Sequence, residues 1–204
     1  MALSKIIPDS LTDNARGMGG KFLHKITISN DATVAFSSTY ITDAYDYYDV
    51  IISDLVPETD AKFLRCRFGV GGTVYSGSTD YNYGVWHFGH NQSDNQEFNS
   101  GVDAGSSAML ITTFQGLGEL GTGTGEQFNA HYRFYNLRST TFYKGVTNMD
   151  TFGRVANDFF MTIRKGLMLG TSNINRTNKI DTMQFSMETG NIVSGSMSLY
   201  GWKK

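Results

Sequence analysis

Apolar and polar residues alternate with a period of two along most of the chain, most fully in residues 190–204. One face of the strand predicted there carries Val193, Gly195, Met197, Leu199 and Gly201. The other face carries Ser194, Ser196, Ser198, Tyr200 and Trp202. Since both faces hold residues that can pack, we predict that this strand lies inside a sheet or against a neighbouring subunit. The fold should then close only when the C-terminus is in place.

Similar alternating segments follow one another from Lys21 onwards, separated by turn signals such as Asn30-Asp31 and the glycines near residue 70. We count about eleven predicted strands at intervals of roughly 8–12 residues, and no segment keeps a 3.6-residue period over three turns. This pattern predicts an all-β domain, a sandwich or a barrel, over residues 21–204.

Residues 1–20 differ from the rest of the chain. Pro8 interrupts any helix there, and Gly17, Gly19 and Gly20 form a predicted hinge. We predict an N-terminal attachment arm rather than the alternative, a disordered tail. Its apolar residues would make the attachment: Leu3, Ile6, Ile7 and Leu11.

Composition narrows the class of protein. Of the 204 residues, 40% are hydrophobic and 13% aromatic, which is ample for a core, whereas 18% are charged, against about 25% in typical domains. The 17 basic and 19 acidic residues are spread along the chain, so we predict no nucleic-acid binding. No apolar run approaches the ~18 residues of a membrane span, and we expect no signal peptide and no membrane insertion.

The histidines and the cysteine offer few candidates for chemistry. Cys66 is a single cysteine within alternating apolar residues, which predicts a buried, inert thiol. His87 and His90 would point to opposite faces of a regular strand, so we favour a strand-end cluster over a metal site. His24 and His131 are isolated within strands and are predicted to be hydrogen-bonded wall residues.

Two further patterns have features of ligand sites. The segment GELGTGTGE lacks the Lys-Ser/Thr of a phosphate-binding loop and has no following helix, so a hairpin or interface loop is favoured. Five acidic residues lack the spacing of a calcium-binding loop and are predicted to form a solvated rim. They are Asp46, Asp49, Asp54, Glu58 and Asp60. We predict no metal and no cofactor.

Aromatic residues ahead of the polar loop at 90–105 are a candidate sugar-binding or receptor-binding surface. The candidate contacts are Tyr81, Tyr83, Trp86, His90, Asn91 and Asp94. Packing of these aromatics in the core is the competing interpretation, and the one the sequence favours. Catalytic carboxylate pairs are defined by spatial separation, and the sequence has no positive sign of one, so we predict that the chain is not an enzyme.

Three stretches resemble a group of tailed-bacteriophage virion structural proteins of the tail-fibre and head-decoration type. They are TISNDATVAFSSTYITDAYDYYDVIISDLVPETDAKFLRCRF, SGSTDYNY and SGSMSLYGWK. The matching residues are Phe36, Tyr45, Tyr48, Pro57, Asp60, Ser194, Gly195, Leu199, Tyr200 and Gly201. The resemblance covers roughly residues 21–90 and 180–204, whereas the loop at 90–105 and the glycine-rich stretch at 116–125 are the chain's own.

The resemblance implies a jelly-roll-like β-sandwich, often trimeric, without catalytic residues. We therefore expect a non-enzymatic virion protein at the particle surface, of the tail-fibre or receptor-binding type, attached through its N-terminal arm. Capsid decoration is the first alternative and a carbohydrate-binding module the second. The expected partners are other tail or capsid proteins, further copies in a homotrimer, and a host surface glycan.

Overall fold

The computed structural model describes residues 20–78, 80–90, 96–112, 119–154, 158–168 and 178–203. For residues 82, 84–90, 96–105, 149–154 and 158–168 it describes the backbone alone. The described residues form thirteen strands and no helix, so the all-β prediction is confirmed, with more strands than the eleven counted from the sequence. Accordingly, no helix long and apolar enough to cross a membrane occurs in these ranges.

The strands have the following bounds. They are β1 (Lys21–Asp31), β2 (Val34–Phe36), β3 (Tyr47–Pro57), β4 (Leu64–Val70), β5 (Thr73–Val74), β6 (Tyr81–His90), β7 (Gln96–Ser106), β8 (Met109–Leu110), β9 (Phe128–Tyr135), β10 (Lys144–Arg154), β11 (Asp158–Met168), β12 (Thr182–Met187) and β13 (Ile192–Trp202).

The strand order is that of a jelly roll. One sheet contains the run β1-β13-β3-β9, and the facing sheet contains β2-β12-β4, with β5 and β8 both paired to β4. The last strand therefore lies beside the first, and β12 lies beside β2, with antiparallel pairing throughout. The strands near the N-terminus thus pair with the strands near the C-terminus in both sheets, as they do in the double-sheet arrangement of jelly rolls. The predicted jelly-roll-like sandwich is confirmed.

Two long hairpins enlarge the first sheet. The hairpin β10–β11 follows β9, and the hairpin β6–β7 leaves the facing sheet between β5 and β8. The two hairpins pair through β11 and β6, so the order continues as β9-β10-β11-β6-β7. A four-stranded jelly-roll sheet is thereby extended to eight strands, and its outer face is correspondingly wide.

The C-terminal strand lies inside this sheet, as predicted, with β1 on one side and β3 on the other. Met197 and Leu199 are fully buried. The predicted alternation does not hold at the start of the strand. Val193, predicted to share a face with Met197 and Leu199, is 41% exposed, and its neighbour Ile192 is buried. Register shifts against β3 between Ile192 and Ser196 move these side chains to the opposite faces from those predicted.

Aromatic side chains from both sheets fill the core. The largest of these fully buried rings are Tyr48, Tyr81, Tyr132, Phe36, Phe68, Phe128, Phe134 and Phe185. Cys66 lies among them with no exposed surface, and burial raises the pKa of its thiol well above the ordinary value. The predicted burial of the thiol is confirmed, and the raised pKa disfavours the reactive thiolate form.

Several residues on which the family resemblance rests have structural contacts. The Tyr48 hydroxyl donates to the Thr42 carbonyl oxygen at 2.6 Å and accepts from the Thr42 amide at 2.8 Å, which fixes the corner before β3. The Tyr45 ring lies so close to Gly201 that a β-carbon there would be 2.6 Å from it. The described contacts of Tyr45, Tyr48 and Gly201 are therefore packing and hydrogen-bonding contacts within the domain.

Candidate functional site

The outer face of the eight-stranded sheet carries the candidate site, and the alternation of β3 and β9 positions it. In β3, Tyr48 and Val50 point into the core, which leaves Tyr47 and Asp49 on the outer face. In β9, the buried positions are Phe128, Ala130, Tyr132 and Phe134, which leaves His131, Arg133 and Tyr135 outside. The register pairs Asp49 directly with Arg133, so opposite charges meet across the two strands.

A buried carboxylate anchors this surface. Arg133 donates to both oxygens of Asp49, each at 2.7 Å, and His131 Nε2 lies 3.1 Å from Asp49 Oδ2. The Asp49 side chain is only 4% exposed, compared with 31% for Arg133 and 50% for His131. Two parallel bonds fix the plane of the guanidinium as well as its position.

The ion pair changes the ionisation of both partners. Burial opposes ionisation of Asp49, but the hydrogen bonds from Arg133 and His131 outweigh it, so the pKa of the carboxyl lies below its usual value. The hydrogen bonds to Asp49 likewise raise the pKa of Arg133, against the effect of burial. Both groups therefore stay charged at neutral pH, and their charges cancel locally.

Three aromatic rings lie beside the ion pair. Tyr47 stacks on Trp202 of β13 with 5.7 Å between ring centroids and 10° between planes, and Tyr135 lies 5.8 Å from Tyr47. The Arg133 Cζ is 4.8 Å from the Tyr47 ring centroid and 5.3 Å from that of Trp202. Cation–π attraction thus adds to the salt bridge in holding Arg133 in place. We call Tyr47, Asp49, His131, Arg133, Tyr135 and Trp202 the sheet-face cluster.

A shallow depression of about 290 Å³ borders the cluster on the side of β10. It is lined by His131, Arg133, Tyr135, Thr147 and Asn148. This volume lies just below the range of about 300–1,000 Å³ for small-molecule sites. The depression therefore suits a small polar group rather than an extended ligand.

The surface predicted from the sequence is only partly visible. Tyr81 and Tyr83 are 1% and 5% exposed, so neither offers a ring face to a ligand and that prediction is wrong for both. The Tyr81 hydroxyl donates to the Tyr75 carbonyl oxygen and accepts from the Phe68 amide, each at 2.8 Å, as a core residue does. Packing in the core, the competing interpretation, holds for these two residues.

The other predicted contacts remain predictions. Trp86, His87 and His90 lie in the part of β6 from residue 84 to residue 90, where only the backbone is described. Asn91 and Asp94 lie outside the described residues, as do the arm residues Leu3, Ile6, Ile7 and Leu11.

Three of the five acidic residues predicted to form a solvated rim have separate partners, and for the buried Asp49 that prediction is wrong. Asp49 accepts hydrogen bonds from Arg133 within the sheet-face cluster. Glu58 accepts a hydrogen bond from the Asn191 amide at 2.8 Å, and Asp60 accepts one from the Thr122 amide at 3.2 Å. Within the described ranges, no three histidine, cysteine or acidic side chains converge as metal ligands. The hydrogen bond to Thr122 also ties the glycine-rich connection, from residue 119 onwards, to the loop after β3.

The two isolated histidines differ in their contacts. His131 hydrogen-bonds to Asp49, as the prediction of a hydrogen-bonded wall residue requires. His24 instead stacks on Tyr40, with 4.3 Å between ring centroids and 8° between planes. The sequence interpretation missed the cluster around His131, although an aspartate inside the apolar run of β3 is a signal for a buried ion pair.

We expect Asp49→Asn to reduce the free energy of unfolding at pH 7 by about 1–3 kcal/mol. Removing one partner of a buried pair costs about 3–5 kcal/mol, and the partial exposure of Arg133 lowers that figure. Because the folded pKa of Asp49 is depressed, its stabilisation is complete above the unfolded pKa of about 4 and is lost as the pH falls through the folded value. Urea denaturation at a series of pH values from 7 to 2.5 measures this, and the free energies of unfolding of the unmodified chain and of Asp49→Asn should converge as the pH falls.

Asp43→Asn is the matched control. Asp43 accepts from Arg138 and Lys179, but its side chain is 58% exposed, so solvent screens these ion pairs. We expect a much smaller loss of stability than for Asp49→Asn. Equal losses in the two variants would contradict a special role for the buried carboxylate.

No protein-family model, no curated protein and no solved structure matches the chain.

Proposed function

We propose that the chain is a non-enzymatic structural protein on the surface of a tailed-bacteriophage virion, of the tail-fibre or receptor-binding type. The observation that carries the proposal is the widened outer face of the jelly roll, with the preorganised sheet-face cluster upon it. Residues 1–20 would attach the domain to the particle, and the wide sheet would face outwards to the host.

Two arguments support this assignment. The residues that carry the resemblance to phage virion proteins have structural contacts, as Tyr45, Tyr48 and Gly201 illustrate, which is consistent with a shared scaffold and variable surfaces. Jelly rolls are also the architecture of viral capsid and lectin domains. Since a fold alone does not define a function, the argument for recognition rests on the outer face of the sheet.

Capsid decoration is the second candidate, favoured by a different surface. Phe142 and Tyr143, in the connection between β9 and β10, are 62% and 48% exposed. Exposed aromatics of this size are enriched at protein–protein interfaces. The neighbouring Arg138 and Asp43 form a salt bridge that would provide a polar rim to such a contact. A decoration protein would use this end of the sandwich to bind the capsid lattice or other copies of itself.

Immunogold labelling of intact particles with an antibody against this chain tests the proposal. Gold confined to the tail tip is expected for a receptor-binding protein, whereas gold spread over the head would favour decoration. Antibody pre-adsorbed with the purified chain is the control and should leave particles unlabelled. Purified particles that contain no copy of the chain, by labelling and by mass spectrometry, would overturn both assignments.

A further inference from the structure

Gly145 lies beside the Tyr135 side chain of the sheet-face cluster. Gly145 of β10 pairs with Tyr135 of β9, and a β-carbon at this glycine would meet Cβ and Cδ2 of Tyr135 at 3.8 Å. That is ordinary van der Waals contact, so alanine would fit without steric conflict. The glycine therefore leaves open the flank of the Tyr135 side chain, next to the depression that Tyr135 and Thr147 line.

Hydrogen-bonding groups of several types surround this space. Arg133 has five N–H donors and uses two for Asp49, and it is held in one orientation by that bidentate pair. When His131 donates from Nε2 to Asp49, its Nδ1 is left as an acceptor. Thr147, paired with Arg133 in the register, supplies a hydroxyl that can both donate and accept. Donors and acceptors thus surround a single small volume.

The charges of the residues around the depression favour a neutral ligand over an anionic one. The Arg133 cation is balanced by the Asp49 anion, and Tyr135, Thr147 and Asn148 are uncharged polar side chains. When His131 is uncharged, a phosphate or carboxylate would meet no uncompensated positive charge among the described lining residues. A ring with several hydroxyl groups and one apolar face matches both the mixed hydrogen-bonding groups and the Tyr135 side chain.

We propose that the depression lined by His131, Arg133, Tyr135, Thr147 and Asn148 binds one neutral sugar ring of a host surface glycan. The ring would pack against Tyr135 over Gly145, and its hydroxyl groups would bond to Arg133, His131 and Thr147. Asp49 is a positioning residue, because it orients Arg133 and His131. This inference rests on the proposed function in its receptor-binding form and supplies the class of ligand.

Saturation-transfer difference NMR on the full-length chain tests the site directly. The probes are methyl glycosides of glucose, galactose, mannose and N-acetylglucosamine, with sialyllactose and galacturonic acid as acidic counterparts. We expect saturable binding of at least one neutral glycoside in the millimolar range, which corresponds to about 4 kcal/mol, and weaker binding of the acidic sugars. Preferential binding of an acidic sugar, or no binding of any probe, would overturn the proposal.

Two substitutions link binding to this depression. Gly145→Val fills the space beside Tyr135 with a residue that strands favour, and Thr147→Val removes the hydroxyl. We expect at least tenfold weaker binding for Gly145→Val and about threefold for Thr147→Val. Thr27→Val, at an exposed position of β1, is the control for the hydroxyl loss and should bind as the unmodified chain does.

Thermal melting of each variant separates loss of the site from loss of the fold. Unchanged binding in a folded Gly145→Val protein would overturn the proposal. If Gly145→Val fails to fold, Thr147→Val decides the question, and unchanged affinity in it is the overturning result. Gold at the tail tip without sugar binding would refute this site and leave the proposed function standing. Sugar binding by a chain that no virion contains would support the site and refute the proposed function.

Discussion

Deletion of residues 190–204 is expected to abolish soluble folding. The deleted strand β13 pairs along its length with β1 on one side and β3 on the other, so its loss separates β1 from the sheet and exposes the edge of β3. It also removes Ile192, Met197 and Leu199, each fully buried. Truncating one such side chain costs about 2–5 kcal/mol, and a domain of this kind has only about 5–15 kcal/mol in total.

Deletion of Lys203 and Lys204 alone is the control, because β13 ends at Trp202. That shorter chain should be soluble and melt cooperatively with a midpoint close to that of the full chain. Soluble yield and the far-ultraviolet circular dichroism melt measure both outcomes. A soluble 1–189 chain with a cooperative transition would contradict the role assigned to the last strand.

The fold was predictable from the sequence where alternation alone decides the structure. The inner and outer faces of β9 follow the sequence directly, since Phe128, Tyr132 and Phe134 are buried and Arg133 is not. The start of β13 was not predictable in this way. There the register against β3 shifts twice, and Ile192 and Val193 lie on the faces opposite to those that simple alternation assigns.

The candidate site was largely beyond prediction, because it depends on contacts between distant strands. Asp49 and Arg133 are 84 residues apart, and only the register of β3 against β9 brings them together. The burial of Tyr81 and Tyr83 agrees with core packing, the interpretation that the sequence favours over a ligand surface. These tyrosines alternate with Asn82 and Gly84 at the start of a strand, a pattern that favours a common inward face.

Gly195→Ala is expected to reduce the free energy of unfolding by about 2–5 kcal/mol, one of the largest effects for a single methyl group in this chain. Gly195 has a φ of 122°, which side chains of L-residues rarely adopt. A β-carbon there would also lie 2.8 Å from Leu55 Cα and 3.0 Å from the Ser53 carbonyl oxygen. Both are backbone atoms of β3, so relief requires the two strands to separate where the register shifts. Urea denaturation at pH 7 measures the loss.

Comparison with Gly125→Ala separates the steric contribution to this loss of stability from the conformational one. Gly125 also has a positive φ, 89°, but a β-carbon there would meet nothing within 4 Å. Both substitutions restrict the unfolded chain equally, so that contribution cancels in the comparison. We expect Gly125→Ala to reduce the free energy of unfolding only by the conformational cost of the positive φ, about 1–2 kcal/mol. If the two variants lose the same stability, the close approach of β13 to β3 contributes nothing, and backbone conformation alone explains the need for glycine at residue 195.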